Sequence, residues 1–197
     1  MNAIRWCSLW AVVVWLGASP AAAQEGSKTP AKPPPTTTGQ AVPPAGRPTL
    51  QARGIIYLWE LAPDFFLDGS HGKSVKLSSL RGNKTLLLFV PYKERLRPYN
   101  DVVDTLMTHD VRLVGICSDK QHNLRSMAQR ESIRFLMLGD VTGDVSAMYG
   151  LFDPVNGEIR PGAFLLDSQG YVRLILLGQA PAPENLVGLV ASVMPLP

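Results

Sequence analysis

Between residues 85 and 177, short unbroken apolar runs alternate with stretches whose apolar side chains recur every three or four positions. The runs predict strands at 85–90, 111–116, 135–138, 163–166 and 171–177. The first, centred on Leu86-Leu87-Leu88-Phe89-Val90, is almost wholly apolar, as expected of a strand covered on both faces. Asp167-Ser168-Gln169-Gly170 reads as a hairpin turn between the last two strands, with Gly170 free to take a positive φ. Helical spacing places Val102, Val103, Leu106 and Met107 on one face, after Pro98 in a first turn where its missing N–H costs nothing. Asp101 and Asp104 lie early in that helix, where carboxylates suit the dipole. Further helices are predicted at 123–131, at 144–149 with a stop at Gly150, and at 183–193. This order predicts an α/β domain: a mixed central sheet with helices on both faces.

The first 50 residues follow no such pattern. Residues 1–23 have Arg5, an apolar run over 9–16 and small residues ending in Ala21-Ala22-Ala23, the layout of a secretory signal. A membrane-spanning helix needs about 20 apolar residues, more than this run supplies. Residues 24–52 are rich in Pro, Thr and Ala and predict an extended tether. The folded domain is expected over 53–197. Of 19 Lys/Arg and 16 Asp/Glu, four and one lie in the first 50 residues, so the remainder is neutral. A net +3 carried by a tail is not the basic folded surface that nucleic-acid binding wants. Of the two cysteines, Cys7 leaves with a cleaved signal, and Cys117 alone cannot form an internal disulfide. In an oxidising compartment that thiol is buried, paired with another molecule, or reactive.

The joints of this pattern carry recognisable text. Ala62-Pro63-Asp64-Phe65-Phe66-Leu67, the segment Gly72 to Gly82 (GKSVKLSSLRG), Val114-Gly115-Ile116-Cys117-Ser118-Asp119, Leu138-Gly139-Asp140 with Tyr149-Gly150, and Phe164-Leu165-Leu166-Asp167 occur in order. Together they resemble the peroxiredoxin branch of the thioredoxin fold, the alkyl hydroperoxide reductase and thiol-specific antioxidant family. The resemblance implies a thioredoxin-like fold and an antioxidant oxidoreductase ancestry, with no cofactor. It also implies a peroxidatic cysteine in the motif Pro-x-x-x-Thr-x-x-Cys, its pKa lowered by a helix N-terminus and an arginine, oxidised to a sulfenic acid by peroxide. Counting from Pro91, the threonine position is Arg95 and the cysteine position is Pro98. A Cys-x-x-Cys pair placed after Phe89 would fall near Glu94 and Arg97, again without sulfur.

Two remnants, and the altered loop itself, carry candidate chemistry. Arg160 is the nearest match to the family's arginine before the 163–166 strand, and Pro161 resembles the cis-proline of thioredoxins. Cys117 ends a strand expected to run parallel to the one entering the altered loop. Ligands gather beyond such ends, yet free cysteines are often core. Lys93, Arg95 and Arg97 could hold an anion beside a helix N-terminus or form an ordinary solvated loop. His71, His109 and His122 form no metal spacing. The expectation is an exported, peroxiredoxin-like module that binds an envelope protein or a small anion without peroxidase activity, touching a membrane only through an uncleaved N-terminal segment. The alternative is a thiol oxidoreductase using Cys117.

Overall fold

The computed structural model describes residues 56–194. The predicted signal at 1–23 and the tether at 24–52 lie outside the described residues. Strands β1 (Phe66–Gly69), β2 (Ser74–Lys76), β3 (Lys84–Phe89), β4 (Val111–Cys117), β5 (Leu136–Gly139), β8 (Gly162–Leu166) and β9 (Val172–Leu177) form one sheet in the order β2-β1-β5-β4-β3-β8-β9. β6 (Phe152–Asp153) and β7 (Glu158–Ile159) make a separate hairpin. β3, β4 and β5 run parallel, whereas β8, β9 and β1 pair antiparallel to their neighbours. Helices α1 (Val103–Thr108), α2 (Gln121–Glu131), α3 (Asp144–Met148) and α4 (Pro183–Val193) complete the α/β architecture.

Strand alternation sorts the core into two layers. Leu86, Leu88 and Val90 join Leu106 of α1, Leu124 and Met127 of α2, and Leu186 and Val190 of α4. Leu87 and Phe89 face the opposite way, toward Val145 of α3 and Leu77 and Leu80 of a short 3-10 turn. β3 is thus buried on both faces, which explains its nearly continuous apolar sequence. Strands and helices at the predicted positions appear with ends shifted by a residue or two, and 183–193 is unchanged.

Two regions depart from expectation. β1 and β2 form an edge hairpin that pairs with β5, and no apolar run announces them. The segment after β3 is not the first turn of an α-helix. Lys93–Val102 is a ten-residue 3-10 helix with Pro98 inside it, and α1 begins only at Val103. Pro98 has no N–H to donate inside this segment and disfavours the α conformation at Arg97. The tighter helix puts positions three apart on one face, so Leu96 and Tyr99 are both buried while Pro98 is exposed. Leu96 packs over Gly115, where an added Cβ would come within 2.7 Å of the leucine methyls. The Tyr99 hydroxyl donates to the Pro181 carbonyl at 2.7 Å and ties the segment to the approach of α4.

Candidate functional site

The parallel strands deliver three loops to one edge of the sheet. After β3, the Val90 N–H donates to the Ile116 carbonyl at 3.0 Å, so the altered loop leaves the sheet beside the end of β4. Gly162 pairs with Phe89, which brings Pro161 and the start of β8 to the same edge. At the end of β5, Gly139 pairs with Cys117. A Cβ on Gly139 would stand 2.3 Å from the Asp119 carbonyl, so only glycine admits the loop after β4 at this distance. These pairings bring Pro91, Cys117, Asp119 and Pro161 to the same end of the sheet.

Within that cluster the cations have internal partners. The Lys93 ammonium lies 2.6 Å from Asp119 and 3.2 Å from Glu94. The hydrogen bond to Asp119 is the main reason its pKa rises above the usual lysine value. Burial opposes ionisation of Asp119, yet donors from Lys93, Asn123 and the Lys120 N–H hold its carboxyl below the ordinary range. Arg97 reaches Glu131 at 3.6 Å. Arg95 is exposed, with no ion pair among the described residues. The expected three-cation anion site of Lys93, Arg95 and Arg97 is thus corrected to one uncommitted arginine. The helix beginning here is also a 3-10 turn without a side-chain cap, a weaker anion trap than an α-helical N-terminus. Tyr92 adds a further tie, donating to Glu158 at 2.8 Å across to the β6–β7 hairpin.

Cys117 is fully buried, in the same core layer as Leu96, Val90 and Leu124. Burial pushes its thiol pKa up to about 12, and the negative charge of Asp119 adds to the effect. A thiol in this state presents almost no thiolate near neutral pH. Its backbone carbonyl accepts N–H groups from both Asp119 and Asp140 at 2.9 Å, fastening the loops after β4 and β5 to one point.

Arg160 donates through its guanidinium to Asp153 at 3.0 Å, while its N–H bonds the Leu151 carbonyl at 2.6 Å. That guanidinium is the largest reason the Asp153 carboxyl titrates low, at about 2, with the turn's own N–H groups assisting. Arg160 thus clamps the β6–β7 hairpin beside the altered loop. The peptide bond preceding Pro161 is trans, as is every peptide bond among the described residues, so the expected cis-proline is corrected. The Arg160 and Gly162 backbones already pair with Leu151 and β3 in extended geometry, which the ordinary trans form satisfies.

Two features escaped the sequence reading. The Lys93–Asp119 pair spans 26 positions, but both residues follow adjacent parallel strands, a signal that could have joined them. In the core layer on the α3 side, Phe65, Phe89, Tyr149 and Phe164 form an aromatic cluster, with three edge-to-face contacts and a tilted one between Phe89 and Tyr149. Tyr149 is held protonated by burial and donates to the Pro63 carbonyl at 2.8 Å.

A parallel β3-β4-β5 core flanked by an antiparallel β8–β9 pair and helices on both faces defines a thioredoxin-like fold. Residues 59–175 match the model of the AhpC/TSA family, and the chain belongs to that family of antioxidant oxidoreductases. Peroxiredoxin Bcp of Escherichia coli K12 is 27% identical over 127 residues, covering 57% of this chain and 80% of the relative. Chloroplastic peroxiredoxin Q of Triticum aestivum is 26% identical over 166 residues, covering 78% and 76%. Among solved structures, peroxidoxin BcpB of Mycobacterium tuberculosis superposes with a TM-score of 0.63 at 17% identity, covering 71% of this chain and 99% of that one.

Proposed function

We propose that this protein is an exported peroxiredoxin-fold module that binds or scaffolds a partner and does not turn over peroxide. The observation that carries the reading is Pro98: an exposed imino ring occupies the position where the family motif requires sulfur. The remaining thiol supports it, since Cys117 is sealed in the core with a pKa near 12. A nucleophile must be ionised and reachable, and Cys117 is neither. Export rests on the residue pattern at 1–23.

A binding role is supported by what replaced the chemistry. The loop is tied down at Tyr92, Lys93, Leu96, Arg97 and Tyr99. An ordered surface loses little conformational entropy when a partner docks. Arg95 and the exposed face of Tyr92 are the groups it offers to an acidic envelope protein or a small anion.

The test combines peroxide consumption with native-state alkylation and intact-mass readout on the purified protein. Consumption with a thiol reductant stays at the rate of buffer and reductant, and Cys117 labels only after denaturation. Turnover at family-like rates that disappears in Cys117→Ser would replace this reading with a thiol-dependent oxidoreductase.

A further inference from the structure

At the opposite end of the sheet, where β4 and β5 begin, lies a cavity of about 480 Å³. Its volume is in the range of small-molecule sites. Val75, Val103, Leu113 and Phe135 supply an apolar floor, and Met107 stands at its lip, 63% exposed. An unbranched thioether adapts readily to the shape of an incoming chain.

Three of the six polar residues in the lining are Lys or Arg. Lys73, Arg112 and Arg134 line the cavity with His71, Asn83 and a single carboxylate, Asp110. Arg134 is held by Asp104 and by the Asn100 carbonyl. Lys73 and Arg112 have no ion-pair partner among the described residues. An apolar floor rimmed by two uncommitted cations, with His71 and Asn83 as the neutral polar residues of the lining, matches a ligand with an aliphatic body and an anionic head.

We propose that this cavity binds a straight-chain carboxylate of medium length, its chain on the Val75–Phe135 floor and its head group between Lys73 and Arg112. The site is at the amino ends of the parallel strands, remote in the topology from the altered loop, and it stands whether or not that loop is catalytic. The closing experiment is NMR on the full chain labelled at methionine methyls, titrated with octanoate, decanoate and dodecanoate below their micelle concentrations.

The Met107 methyl resonance shifts on binding, and affinity rises about fourfold per added methylene until the floor is covered. Decanol binds about tenfold more weakly than decanoate, and the Lys73→Glu/Arg112→Glu variant loses about tenfold for decanoate while binding decanol as before. Both cations are exposed, so their reversal leaves the core intact. An unshifted Met107, an affinity independent of chain length, or undiminished decanoate binding by the reversed variant overturns the proposal.

Discussion

Two strands of the same parallel sheet hand the chain to helices at the same edge, and they do so in opposite ways. After β5, the buried carboxylate of Asp140 accepts the N–H groups of Val145 and Ser146 at 3.3 and 2.7 Å, and the Ser146 hydroxyl at 2.6 Å. Two of the orphan donors in the first turn of α3 are therefore satisfied by a side chain of the preceding loop. After β3, the chain enters a 3-10 helix with no side-chain cap, interrupted by a residue that cannot donate. A reactive thiolate of the family type needs free N–H groups at an α-helical start. The β5 exit shows that this fold still builds an ordered helix start. The β3 exit has neither such a start nor a sulfur at position 98, so it departs from the family motif in its backbone as well as in one side chain.

The largest effect that sharpens the contrast is expected at Asp140→Ala. That change strands two N–H groups and a buried hydroxyl, costing about 3 kcal/mol. Urea unfolding should move its midpoint accordingly. A loss within a few tenths of a kcal/mol would mean that α3 is no better anchored than the β3 exit.

A smaller effect belongs to the loop itself. Asp119 has a depressed folded-state pKa, so its contribution is present above the unfolded value of 3.8 and disappears as pH falls through the folded value. Lys93 is raised, so its contribution is present below 10.5 and disappears as pH rises through the folded value. The stability difference between wild type and Asp119→Asn should therefore be a plateau of about 1 kcal/mol across neutral pH, falling away on both sides. Chemical denaturation at a series of pH values reads it directly. A difference that does not change with pH would assign the pair no electrostatic role.

How much of this was readable beforehand depended on whether the information was local. β3 declared itself because burial on both faces leaves no polar position, and α4 because Pro183 marks its start and its apolar face is broad. β1 and β2 were silent as strands: their side chains are largely exposed, and their pairing with β5 is a tertiary event. The sequence alone leaves Cys117 open between core and chemistry. Strand parity could have decided it, because Cys117 shares the face of Leu113, which α1 and α2 cover. The neutralisation of Lys93 and Arg97 required partners from the loop after β4 and from α2, which charge counting along the loop does not reveal. The trans bond before Pro161 likewise follows from strand pairing around it and not from its neighbours in sequence.

The smallest expected effect is the most informative. If only the nucleophile were missing, Pro98→Cys would restore a peroxidase. The structure predicts that it does not: position 98 is exposed on a 3-10 turn, Arg95 stands where the threonine would orient peroxide, and Arg160 is engaged by Asp153. A cysteine placed there should titrate near the ordinary value of about 8.5 and react with peroxide no faster than a free thiol. Alkylation rate against pH gives the first quantity and stopped-flow oxidation the second. Should the single substitution instead yield a thiol ionised at neutral pH and oxidised at family-like rates, the two strand exits would be equivalent, and the difference between them would reduce to one missing sulfur atom.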